Sequence, residues 1–130
     1  MRTISTISGI ACSVFLLFST AVFADSAAVS TMAEITMSLN HFPSDEDKQK
    51  LSAIASSADS SESEVAVATA MMNMKHQLTD ADKATLGSIA ADADASAGLR
   101  ELAGILLSIK HQASDADKAV LEKIVAATGS

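Results

Sequence analysis

Apolar residues recur at helical spacing along the chain. Leu99, Leu102, Leu106 and Ile109 stand at i, i+3, i+7 and i+10, with Ala103 and Ile105 widening the stripe; this is the pattern of one buried helical face. The same stripe occurs at Val67, Met71 and Met74, flanked by Ala68 and Met72, and again at Val29, Met32, Thr36 and Leu39, flanked by Ala33 and Met37. A shorter i, i+3 pair follows each stripe: Leu51 and Ile54, Leu86 and Ile89, Leu121 and Ile124, supported by Ala55, Ala90 and Val125. Six helices are predicted, and an all-α fold.

The polar segments between the stripes set the boundaries. His76-Gln77-Leu78-Thr79-Asp80-Ala81-Asp82-Lys83 recurs as His111-Gln112-Ala113-Ser114-Asp115-Ala116-Asp117-Lys118, and more loosely as His41-Phe42-Pro43-Ser44-Asp45-Glu46-Asp47-Lys48, 35 residues apart each time. A period of this size signals a helical repeat. Ser44, Thr79 and Ser114 are N-cap candidates, because a hydroxyl can accept from the free N–H groups of a first turn. Three residues on, Asp47, Asp82 and Asp117 occupy the reciprocal position of a capping box. Ser26, Ser61 and Ser96, also 35 apart, mark the other helix starts. Loops of about three or four residues before each cap predict antiparallel neighbours. The expected layout is three hairpins, about 26–56, 61–91 and 96–128, forming a short α-solenoid or a six-helix bundle.

Residues 1–24 read as a secretory signal peptide: Arg2, an apolar run from Ile10 to Phe18, then Val22-Phe23-Ala24 before the expected cleavage. Ser8, Gly9, Ser13, Ser19 and Thr20 dilute the apolar run as a membrane span, and Cys12 sits too early in it for a lipoprotein cysteine. The domain is then 25–130, exported to a periplasmic or extracellular space. It has no cysteine, so it forgoes disulfides and rests on helix packing. Its net charge is −8, the whole-chain −7 less the positive charge of Arg2. An acidic chain without a basic stripe argues against nucleic acid and against anionic lipid. After cleavage no membrane association is expected.

The chemistry-bearing residues are few. Histidine with carboxylates is a legitimate ligand set for zinc or copper, which makes His41, His76 and His111 with Asp45, Asp80 and Asp115 the candidate metal residues. Within one unit the geometry offers two ligands at most, because Asp45 and Asp47 lie about 200° apart around the helix axis. The competing reading is architectural: each histidine ends one helix, near its negative pole, and bonds across the turn to the next helix's first aspartate. Met71, Met72 and Met74 align with Thr36, Met37 and Leu39 and with Leu106, Leu107 and Ile109, which makes them core filler rather than copper ligands. The acidic connectors lack a calcium loop's twelve-residue pattern. With no cysteine nucleophile, phosphate loop or nucleophile elbow in 25–130, catalysis is not expected.

The period lies near that of tetratricopeptide repeats, but the chain has no tryptophan or tyrosine and lacks that motif's Leu-Gly pair and closing proline, so no family is assigned. The expected function is non-catalytic binding of a protein or peptide on a solenoid surface, without resident cofactor. The alternative is a metal-binding or metal-buffering protein using the three histidines. Self-association is the third route, through an apolar C-terminal face at Val120, Ile124 and Val125.

Overall fold

The computed structural model describes residues 25–128, all-helical apart from loops; residues 1–24, including the expected signal peptide, lie outside them. Six helices follow in chain order: α1 (Ala27–Ser38), α2 (Asp45–Ser56), α3 (Glu62–Asn73), α4 (Asp80–Ala91), α5 (Ala97–Ser108) and α6 (Asp115–Thr128). Each starts where a polar cap supplies an acceptor. Ser26, Ser61 and Ser96 cap α1, α3 and α5, and Ser44 and Thr79 cap α2 and α4. None of the described helices is long and apolar enough to cross a membrane.

The odd and even helices divide the labour of burial. α1, α3 and α5 each bury five or six residues, whereas α2, α4 and α6 each bury a single Leu–Ile pair. The odd helices are therefore the inner ones, with α1 touching both α3 and α5. The apolar stripes become the core. Val29, Met32, Val67, Met71, Leu99, Leu102 and Leu106 are buried along the inner helices, and Leu51, Leu86 and Leu121 close over them from outside. Each fully buried side chain of this size contributes about 1.5–3 kcal/mol relative to exposure. Thr36 stands in the stripe without penalty, since its hydroxyl donates to the Met32 carbonyl oxygen at 2.8 Å. Met74 is buried with the rest. Ile35 and Ala70 are buried as well, so α1 and α3 use a wider face than their stripes required, and Ile105 is buried on α5 as expected.

The pairing of helices departs from the expected layout. The closely packed pairs are α2 with α3, α4 with α5, and α6 with α1, while α1–α2, α3–α4 and α5–α6 touch only lightly. The hairpins expected at 26–56, 61–91 and 96–128 are thus offset by one helix. The reason lies in the loops. Those leaving the inner helices span 39–44, 74–79 and 109–114, five residues before each cap rather than three or four. Buried residues within them, Leu39 and Pro43 in the first and Met74 and Leu78 in the second, hold the chain against the end of the core. The first two loops thereby deliver the next helix onto the neighbouring inner helix, not back onto the one just left. The third delivers α6 onto α1.

That last contact closes the molecule: the final helix packs on the first, giving a closed six-helix bundle rather than an open solenoid. It also occupies the apolar face expected to pair two chains. Ile124 is buried, and Val120 and Val125 pack against the core.

Candidate functional site

The three histidines meet. Loops 39–44, 74–79 and 109–114 follow inner helices that run in one direction, so they gather at one end of the bundle. Leu39 and Pro43 are buried on either side of His41, and Met74 and Leu78 on either side of His76; at His111 the anchors are half-buried Ile109 and buried Ala113. Pinned at two points, each loop pushes its middle outward. His41, His76 and His111 are all exposed.

His41 is the centre of the group. Its ring lies 5.1 Å from that of His111, centroid to centroid, tilted at 40°. It meets the His76 ring edge-on at 6.4 Å. The His41 backbone N–H donates to the His111 carbonyl oxygen at 2.8 Å, joining the first loop to the last. His41 also has φ 70°, a left-handed conformation that favours glycine. Its Nδ1 lies 2.7 Å from Asn40 Oδ1. A carbonyl oxygen only accepts, so this contact favours the tautomer with the proton on Nδ1.

The aspartates do not join the rings. The architectural reading placed each histidine in a helix's last turn, bonded to Asp45, Asp80 or Asp115; the histidines instead lie in the loops, past the C-caps Leu39, Met74 and Ile109. Asp45 faces its own helix's Lys48 at 4.0 Å, and Asp80 faces Lys83 at 3.7 Å, both carboxylates fully exposed. Asp115 is exposed at the start of α6. An aspartate at the first helical position is turned along its own helix by the dipole and by the i+3 lysine. Among the described residues, no group of three or more histidine, cysteine or acidic side chains is set as it stands to hold a metal ion. The rings are gathered, but their nitrogens do not yet converge.

The caps fix the loops that carry the rings. Ser44 Oγ accepts from Asp47 N–H at 3.1 Å, and Asp47 accepts from Ser44 N–H at 3.2 Å. Thr79 accepts from Asp82 N–H at 3.1 Å, and its hydroxyl donates to the Asp82 carboxylate at 2.7 Å. Ser114 accepts from Asp117 N–H at 3.2 Å, and Asp117 accepts from Ser114 N–H at 3.0 Å. These hydroxyls are engaged in capping their own helices. Lys48 also sits 5.8 Å above the ring of half-exposed Phe42, beside His41. On α2, the hydrogen bond that Lys50 donates to Glu46, together with the Glu46 charge, holds Lys50 above its ordinary pKa of 10.5.

The opposite end gathers the N-termini of α1, α3 and α5 and is built differently. Glu64 is 93% buried: it accepts from Ser61 N–H at 2.7 Å and from the Ser26 hydroxyl, and so ties α3 to α1. Asp25 accepts from Gly98 N–H at 3.0 Å, tying the chain's first described residue to α5. A Cβ at position 98 would lie 2.3 Å from the Asp25 carboxylate, so only glycine admits that contact. A cavity of about 360 Å³ remains between Ser26, Glu64, Asp92 and Leu99.

Asn40 and the ring-to-ring contacts were beyond sequence reasoning, with one visible signal. Where the other copies of the motif have Lys75 and Lys110 before the histidine, the first has Asn40. In comparisons with protein families, with curated proteins and with solved structures, nothing matches this chain.

Proposed function

We propose that this chain is an exported, non-catalytic protein that binds a divalent transition metal, zinc or copper, through His41, His76 and His111. The observation that carries the proposal is the spacing of the imidazoles. A metal held at about 2.0–2.1 Å by three imidazole nitrogens places each ring centre roughly 3.2 Å away, so three rings around a tetrahedral ion stand about 5–5.5 Å apart. His41 and His111 are 5.1 Å apart, and His41 and His76 are 6.4 Å apart. Completing the set needs the exposed rings to turn, and His76 and His111 to draw toward each other as well as toward His41. Exposure leaves the fourth position to water, and Asp45, Asp80 and Asp115 have no part in it.

We read the helix pairs as copies of one 35-residue unit, which supplies one histidine per copy to a common end. Residues 1–24 support export. Binding of a protein or peptide ranks second, because it drew on an open solenoid face and α6 packs on α1.

The test is titration of the tag-free mature protein with zinc and with copper. One ion per chain is expected. At a hundredfold excess of free metal over Kd the fold gains about 2.7 kcal/mol by mass action, seen as a raised Tm. His41→Ala/His76→Ala/His111→Ala should abolish both binding and the thermal shift. Metal-independent melting of the wild type, or an unchanged stoichiometry in the triple variant, rejects the proposal. Acidification should weaken binding, since an imidazole must be deprotonated to ligate.

A further inference from the structure

The three histidines are not equivalent, and the difference points to Asn40. Resting on the metal-binding reading above, we infer that Asn40 is a positioning residue: it fixes the His41 tautomer so that Nε2 of His41 is the pre-set ligand onto which His76 and His111 close.

Three separate contacts single out His41. Its ring is the one in contact with both others, at 5.1 and 6.4 Å. Its backbone is held by the bond from its N–H to the His111 carbonyl oxygen, in a left-handed conformation at φ 70° that such a tether supports. Its Nδ1 is 2.7 Å from Asn40 Oδ1. Metal-bound histidines generally donate their second ring N–H to an oxygen, which sets the tautomer and raises the basicity of the ligating nitrogen. Asn40 already makes that contact. The corresponding Lys75 and Lys110 cannot make it, because an ammonium has no acceptor. His76 and His111 therefore enter as adaptable ligands and His41 as the fixed one.

The experiment has two arms. In metal-free protein, ¹⁵N chemical shifts of the imidazoles at a pH where they are neutral should show His41 protonated on Nδ1. Asn40→Ala should release it toward the Nε2–H form; a wild-type His41 already in that form overturns the inference. In the second arm, zinc affinity is measured by competition and cobalt coordination by visible absorption. Asn40→Ala should weaken zinc about 10–100-fold, the usual effect of losing such a partner, and shift the cobalt spectrum. Asn40→Asp, which keeps an acceptor, should restore binding. Equal affinity and an identical cobalt spectrum in wild type and Asn40→Ala overturn the role of Asn40 while leaving the metal reading standing. Failure of the wild type itself to bind metal rejects the metal reading. Asn40 is exposed, and circular dichroism of each variant confirms that the fold is kept.

Discussion

The two ends of the bundle receive the same three inner helices and treat their polar groups in opposite ways. At the N-terminal end of α1, α3 and α5, carboxylates are drawn inward. Glu64 is buried and bonded to Ser61 and Ser26, and Asp25 reaches the N–H of Gly98. At the C-terminal end the loops sink apolar residues into the core and turn their histidines outward. Inner-helix N–H groups at the first end are unsatisfied by the helix itself and demand acceptors, so that end is spent on closing the structure. At the second end the loops are pinned by Leu39, Pro43, Met74 and Leu78, and the side chains left outside are free for a ligand. One end stabilises, the other is available. At the cavity beside it, the buried carboxylate of Glu64 is already bonded within the fold.

The sharpest way to break this contrast is to remove the same capping role from each end. Glu64 and Asp47 both stand at the third helical position and both reach back to the capping serine's N–H. Glu64→Ala should cost about 2–3 kcal/mol, since it also strips a buried bond to Ser26. Asp47→Ala, at an exposed end of α2, should cost about 0.5–1 kcal/mol. Urea denaturation measures both, and equal losses would mean that the ends are not differently built.

A smaller effect is expected at His41. Its φ of 70° disfavours any residue with a Cβ by about 1–2 kcal/mol, offset in part by glycine's greater entropy in the unfolded chain. His41→Gly should therefore be more stable than His41→Ala by about 1 kcal/mol. The same pair made at His76, which lies outside the left-handed region, should favour alanine. The rank order in chemical denaturation decides the matter.

The smallest effect belongs to the aspartates excluded from the histidine group. Asp45→Asn and Asp80→Asn each remove a solvent-exposed pair with the lysine three residues on, worth at most about 0.5–1 kcal/mol. Metal affinity should be unchanged in both. A large loss of affinity would place the carboxylates back among the ligands.

Much of the fold was legible in the chain. The stripes at Val29–Leu39, Val67–Met74 and Leu99–Ile109 lie on the buried faces, and Leu51, Ile54, Leu86, Ile89, Leu121 and Ile124 cover them. The hydroxyls of Ser44, Thr79 and Ser114 make the contacts that their spacing from Asp47, Asp82 and Asp117 foretold. Two expectations went astray for a common reason. Each of these loops runs five residues before its cap, against three or four expected, and the histidines lie past the helix ends, away from Asp45, Asp80 and Asp115. Burial of Pro43, Leu78 and Ala113 shows where the extra residues go. An apolar residue beside a cap is a weak signal in sequence and a strong anchor once a core exists to receive it.

The sequence by itself determined what is local: where helices start, which face of each is apolar, and that one histidine recurs every 35 residues. These follow from backbone periodicity and from hydrogen bonds between residues three apart, both of which act along the chain. Only the tertiary structure decided which helices pair, that α6 closes on α1, and that His41 touches both of its counterparts. Those outcomes depend on how three loops cross the end of a shared core. That is a competition among long-range packings which differ little in local energy, and spacing along the chain does not rank them.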